Sequence, residues 1–285
     1  MRILITGGKG MLGRTLFNHW QANHTCFIAD LPEHDLTQPE TLEQLFSELQ
    51  PEVVVHCAAM TQVDLCESQP ERAFLINAKL TESLAKACHQ HQARLIAIST
   101  DYVFAGADPT PQRETFRPSP RTVYGASKLA GEEAIRQYCP DHIIARVAWL
   151  YGSGGPSFVH TMLALAAADP LRSLDVVNDQ HGNPTSTTAV AKVLTAMLTR
   201  PDLTGTFHLT CEGVTTWYEF AQTIFRLAGY TAINVTPCTS EAFKRPAKRP
   251  KWSALSKDKL KAAKLPAMPA WQEALAQFIR QEWPL

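Results

Sequence analysis

At 285 residues the chain is too long for one small module and fits one large α/β domain, alone or with a smaller appendage. Hydrophobic residues make up 45% and charged residues 19%, enough to bury a sizeable core, which argues against disorder. The 27 Lys and Arg balance 27 Asp and Glu, so a nucleic-acid-binding face spanning the molecule is not expected. No apolar run approaches the ~18–20 residues of a membrane span. The opening MRILITGGKG enters a strand-and-turn pattern at once, so a secretory signal is not expected. The 7 cysteines show no CxxC and no Cys/His ligand spacing, which points to a reducing cytoplasm rather than a disulfide framework or a zinc site.

In chain order, Arg2–Thr6 (RILIT) reads as a parallel strand buried on both faces, and Met11–Asn23 as a helix with Leu12, Leu16 and Trp20 on one stripe. Strands at Cys26–Asp30, Val53–Cys57, Leu95–Ser99 and His142–Arg146 then alternate with helices at Pro39–Leu49, Arg72–His89 and Val123–Tyr138. This alternation predicts right-handed crossovers and a Rossmann-type, doubly wound parallel sheet over residues 1–150. Residues 151–285 read as a smaller part interleaved with that sheet. Within it, helices are expected at Phe158–Ala168, Thr187–Thr199 and Trp217–Ala228, and strands at Leu174–Val177 and Gly205–Leu209. Prolines at 237, 246, 250, 266, 269 and 284 and a basic run at Lys244–Lys251 suggest an irregular tail with short helices over an opening.

Gly7, Gly10 and Gly13 form a GxxGxxG turn between the first strand and the first helix. Such glycines allow a tight turn, close approach of a pyrophosphate to backbone, and close helix packing. The following helix N-terminus offers free N–H groups to phosphate. Asp30, 23 positions after Gly7, ends the second strand, where a carboxylate binds both adenosine ribose hydroxyls and repels a 2′-phosphate. That favours NAD over NADP, with Lys9 and Arg14 close enough to soften the preference. Asp35 and Leu36 are placed beside the adenine, and the small residues at Cys57–Thr61, among them Ala58 and Ala59, at the strand end where the cofactor passes.

The fourth strand ends in Ser99–Thr100–Asp101, and Tyr124–Gly125–Ala126–Ser127–Lys128 is a YxxxK motif on one helix face. A lysine ammonium beside the phenol would lower its pKa from ~10 towards neutrality and make it a competent acid or base. Trp149 follows the fifth strand and should face the crevice, whereas Trp217 and Trp271 fit helix stripes and read as core. His181 reads as a solvated loop residue, and the polar, turn-rich NDQHGNPT stretch (178–185) as bordering the substrate without a single role. In the basic run, Arg249 is the best bidentate candidate for a diphosphate.

On these motifs, with CAAMTQVDLCE, STDYVFAG, VYGASKLAGE, RVAWLYG and NDQHGNPT, the chain resembles the extended short-chain dehydrogenases/reductases, and within them the dTDP-4-dehydrorhamnose reductases. The resemblance implies an NAD(P)H-dependent reduction of the C4 ketone of a nucleotide-linked 6-deoxyhexose, serving cell-surface polysaccharide synthesis. Carried over, Tyr124 is the proton donor, Lys128 its partner and ribose anchor, and Thr100 a hydrogen-bond donor at the carbonyl. Asp101 and Trp149 border the sugar, Arg249 reaches the diphosphate, and Gly10, Met11, Leu12, Asp30, Asp35, Leu36, Ala59, Met60 and Thr61 contact the dinucleotide. Some members bind magnesium at a dimer contact through an acid just after the glycine turn. Here that stretch reads Gly13–Arg14–Thr15, so no metal is expected, and a homodimer is left open. Related dehydratases carry Thr-Asp-Glu at the fourth strand end; Thr100–Asp101–Tyr102 disfavours elimination. A non-catalytic regulatory subunit of a synthetase and a nucleotide-sugar epimerase remain the alternatives.

Overall fold

The computed structural model describes residues 1–283; Pro284, counted above among the tail prolines, lies outside the described residues. The first part runs β1 (Arg2–Thr6), α1 (Met11–Trp20), β2 (Thr25–Ala29), α2 (Pro39–Leu49), β3 (Val53–His56), α3 (Val63–Ser68), α4 (Pro70–Phe74), α5 (Leu80–Gln90), β4 (Arg94–Thr100), α6 (Val123–Tyr138) and β5 (His142–Val147). The second part runs β6 (Leu150–Tyr151), α7 (Phe158–Ala168), β7 (Ser173–Val177), β8 (His181–Gly182), β9 (Thr185–Ser186), α8 (Thr187–Leu198), β10 (Gly205–His208), β11 (Thr215–Thr216), α9 (Trp217–Leu227), β12 (Asn234–Cys238), α10 (Asp258–Ala262) and α11 (Trp271–Glu282).

Six strands form one parallel sheet in the order β10-β5-β4-β3-β1-β2. The period of two along each strand splits its apolar run between two cores. Ile3, Ile5, Val53, Val55 and Ile143 face one core, shared with Leu12, Leu16 and Trp20 of α1 and with side chains of α8, α9 and α11. Leu4, Val54, Leu95 and Ile144 face the other, shared with α2, α5 and α6. The doubly wound α/β architecture is therefore as the alternation predicts. The strand order switches between the neighbouring strands β1 and β3, where successive crossovers turn to opposite sides, and this opens the crevice at the strand C-termini. The sixth strand, β10, comes from the second part and pairs with β5.

Three local differences from the sequence expectation have physical reasons. The expected single helix at 72–89 starts earlier, at Pro70, and passes through a π-helical turn, Leu75–Lys79, between α4 and α5. That bulge lies at a buried Asn77, whose side chain bonds across to Met60 and Ser127. Helix α3 is too short to show a periodic stripe. Finally, the tail contains β12, paired in parallel with β7, and a twelve-residue α11. The spacing Trp271, Ala274, Leu275, Phe278, Ile279 is the buried stripe that would have revealed α11.

Candidate active site

β1 ends at Thr6 and the chain turns through Gly7 at φ +64, where a Cβ would stand 2.5 Å from the Ala58 nitrogen. A Cβ at Gly13 would lie 2.4 Å from the Gly7 carbonyl oxygen, so this glycine lets α1 pack onto the turn. Gly10 differs: its Cβ would approach only that same oxygen, at 3.3 Å. The fold itself nearly tolerates a side chain at Gly10, and what it would fill is the cradle. Gly10 also precedes the ten-residue α1 with no side-chain cap and no acid in the first turn, leaving the positive helix end open. This cradle fits the pyrophosphate of a nicotinamide dinucleotide. At its far rim the Asp30 carboxylate accepts the Lys9 and Leu31 N–H groups, each at 2.9 Å. The Lys9 ammonium is itself paired with Glu33, while Asp35 is fixed by the Thr37 N–H and hydroxyl.

From this turn a single cleft of about 770 Å³ runs across the strand ends. Gly7, Gly10, Met11, Leu12, Gly13, Asp30, Asp35, Leu36, Ala58, Ala59 and Thr61 line one half. Thr100, Asp101, Tyr102, Tyr124, Lys128, Trp149 and Trp217 line the other. Met60 is not among the lining residues: it is buried, its N–H and carbonyl bonded to Asn77.

The chemistry-bearing half rests on α6. Thr122 caps it by accepting the Gly125 N–H at 3.0 Å, and Glu67 of α3 accepts the Val123 N–H at 2.9 Å. Gly125 is required by close approach: a Cβ there would stand 2.2 Å from the Tyr102 carbonyl oxygen. The helix thereby brings Tyr124 against the end of β4, its ring edge-on to Tyr102 at 5.5 Å. Thr100 donates to Asp101 Oδ1 at 3.0 Å and accepts the Tyr102 N–H at 3.2 Å. One turn below Lys128, Glu132 is buried and held by Arg146 through two short bonds, 2.8 and 2.6 Å, and by the Ser99 hydroxyl at 2.6 Å.

The electrostatics correct one expectation. Tyr124 is not tuned towards neutrality: burial raises its pKa, and the Thr100 hydroxyl only partly opposes that. Lys128 instead absorbs the cost of enclosure, lowered by burial to about 8 while the Glu132 carboxylate pulls the other way. The Asp101 carboxyl is pushed up to about 7, also by burial. The phenol can still give a proton to an alkoxide, a stronger base than the phenolate it leaves, with a lysine that is largely charged near neutral pH one helical turn away.

Three further placements differ from the sequence reading. Trp217, expected in the core, lines the cleft with its ring parallel to Trp149 at 3.5 Å. Its position at the first turn of α9, within the Thr216–Glu219 capping box, was the available signal. Arg249 stands outside the lining residues, its Nη2 on Asp64 Oδ2 at 3.0 Å beside Arg245 on the same carboxylate. Trp271 is buried, as its stripe suggests, and His181 lies in β8 stacked on Trp252 rather than in open solvent.

A parallel sheet whose strand C-termini carry one cleft, with a glycine cradle in one part and a Tyr/Lys pair in another, defines a dinucleotide-dependent oxidoreductase of the short-chain dehydrogenase/reductase type. Comparison with known proteins narrows this. Residues 1–283 match the family described as RmlD substrate binding domain. The chain is 42% identical over 282 residues to a dTDP-4-dehydrorhamnose reductase of Streptomyces griseus, covering 97% of this chain and 92% of that one. Among solved structures, a dTDP-4-dehydrorhamnose reductase of Clostridium acetobutylicum superposes with a TM-score of 0.94 at 41% identity, over 99% of each chain. Another, from Bacillus anthracis in complex with NADP, gives 0.95 at 35% identity over 98% of this chain and 99% of its own. The chain belongs to the dTDP-4-dehydrorhamnose reductase family.

Proposed function

We propose that the protein reduces the C4 ketone of dTDP-4-dehydro-L-rhamnose to dTDP-L-rhamnose with NAD(P)H, in the cytoplasm, supplying an activated sugar for cell-surface polysaccharide. The observation that carries this reading is that Tyr124, Lys128 and Thr100 share one cleft with the glycine cradle. Bound NAD(P)H supplies the hydride that adds to the carbonyl carbon. Tyr124, a phenol protonated at neutral pH, gives its proton to the oxygen as negative charge develops there. Thr100, turning its hydroxyl from Asp101, donates a hydrogen bond to that oxygen, and Lys128 keeps positive charge on the same helix face as the phenol and holds the cofactor ribose. Asp101 and Trp149 border the sugar, and Arg249 reaches the diphosphate, exchanging its bond to Asp64 for phosphate oxygens. Seven unpaired cysteines suit a reducing compartment, and among the described residues no helix is long and apolar enough to cross a membrane.

The test is dinucleotide oxidation, followed by absorbance, on addition of dTDP-4-dehydro-L-rhamnose, with the product identified by mass as the substrate plus two hydrogens. UDP- and GDP-linked ketosugars run alongside. Stoichiometric turnover with the dTDP sugar is expected. No oxidation with any ketosugar would overturn the reading, and so would purification with tightly bound NAD and interconversion of sugars without net oxidation.

A further inference from the structure

Glu33 belongs to none of the motifs above, and neither the cradle nor the proton donor uses it. It sits in the turn that follows β2, beside the rim where Asp30 stands. Lys9, from the glycine turn, is brought to the same place. Its backbone N–H donates to Asp30 Oδ2 at 2.9 Å, which fixes the residue against that carboxylate. Its ammonium then reaches the Leu31 carbonyl at 2.9 Å and Glu33 Oε2 at 2.5 Å.

The charges around this rim are unevenly placed. Among the described residues that line the cleft, the basic ones are Lys9, His34 and Lys128, and Lys128 belongs to the reacting end. Arg14 is not among them: its Nη2 donates to the Lys9 carbonyl at 3.3 Å and its side chain lies against Gly154. Of the acids, Asp30 and Asp35 line the cleft, and Asp35 is already held by Thr37. Glu33 does not line it, so its carboxylate holds the Lys9 ammonium from outside. A 2′-phosphate arriving on the adenosine ribose would therefore meet the Asp30 carboxylate and a lysine already paired with another anion.

We infer that Glu33 is a specificity-determining residue for the dinucleotide: by holding the Lys9 ammonium it withholds the cation placed beside Asp30 to neutralise a 2′-phosphate, and so favours NADH over NADPH. The inference deepens the reading of the glycine turn and Asp30 as a dinucleotide cradle and rests on it. Asp30 repels the phosphate directly, whereas Glu33 acts through Lys9. The pair is exposed, 47% at the lysine and 59% at the glutamate. Such pairs are weak and screened by salt, so this one biases the choice without barring either dinucleotide. The lysine is also suited to a change of partner, being a compact charge on a flexible stem that needs no fixed geometry at phosphate.

The test is calorimetric titration of the full chain with NADH and with NADPH, which differ only in the 2′-phosphate. Wild type should hold NADH more tightly. Glu33→Gln should tighten NADPH about fivefold and leave NADH within about twofold. Glu33→Ala, which also removes the amide oxygen that could keep the ammonium, should do the same. In a Lys9→Met background the gain from Glu33→Gln should fall to about twofold or less, the effect of deleting one exposed negative charge. Unchanged NADPH affinity in both Glu33 variants overturns the inference. So does a full gain that persists without Lys9, or a wild type that prefers NADPH. Binding of neither dinucleotide would strike the cradle itself, and the inference with it. No sugar enters these titrations, so their outcome is independent of the ketone assignment.

Discussion

Replacing Arg146 with methionine should strip the Glu132 carboxylate of its main partner while nearly preserving volume. Both side chains are 1% exposed, and the guanidinium makes two short bonds to the carboxylate while lying 4.9 Å over the Phe104 ring. Breaking a buried ion pair from one side costs about 3–5 kcal/mol, because the remaining charge stays in the core. For a chain of this size each kcal/mol lowers Tm by about 2 °C, so a drop of about 6–10 °C is expected by calorimetry. The pH dependence supplies the decisive sign. In the wild type, burial alone would raise the pKa of Glu132, but Arg146 and Ser99 bring it below the usual carboxylate range. Its contribution is therefore present above the unfolded pKa and lost as pH falls through the folded one. In the methionine variant only Arg136, on Glu132 Oε2 at 2.7 Å, and Ser99 still oppose burial, so the folded pKa should rise from its wild-type position. The penalty is then full at neutral pH and fades as acid protonates the carboxyl, so the Tm gap should narrow from pH 7.5 towards pH 5. Adding Glu132→Gln to the variant should recover part of the loss. A gap below about 2 °C, or one unchanged across that pH range, would refute the buried-pair argument.

Tyr124→Phe should lower turnover by at least about 10²-fold while dinucleotide affinity, read by fluorescence titration, stays within about twofold; a variant keeping most of its rate would remove Tyr124 as the donor. Asp30→Ala should relax the choice between NADH and NADPH, measured as the ratio of kcat/KM values, and an unchanged ratio would hand the choice to another group, Lys9 first. Gly10→Ala and Gly13→Ala should separate cleanly. The first should weaken dinucleotide binding about tenfold or more with Tm nearly unchanged, since its Cβ meets little protein. The second should lower Tm by several degrees, since its Cβ meets backbone at 2.4 Å. Equal Tm losses in both would show that Gly10 serves the fold rather than the ligand.

The elements that sequence made legible are those whose pattern is long and single-minded. α2, α6 and α7 match their expected limits, and the buried strands match to within a residue or two. What escaped was short or decided by distant partners. α3 has six residues, and its functions lie in Glu67 at the start of α6 and Asp64 under the basic run, contacts separated by 56 and more positions. Trp217 carried an apolar label that suits core and cleft equally, and only its parallel approach to Trp149 decides between them. The charge states were misread for a related reason. Spacing reveals that Tyr124 and Lys128 share a helix face but not how deeply the cleft encloses them, and depth sets both shifts.

The position of β10 has a consequence for anyone wishing to exchange specificities between relatives. Because β10 covers the flank of β5, a cut near residue 150 would bare a row of unsatisfied N–H and C=O groups along β5. It would also uncover the apolar side that β1, β3 and β5 present to α8, α9 and α11. The front portion alone should therefore clump rather than fold, and a sugar-recognising cassette cannot be transplanted as a contiguous piece. Chimeras should instead keep the segment through α8 and β10 with the sheet and exchange only what borders the cleft mouth.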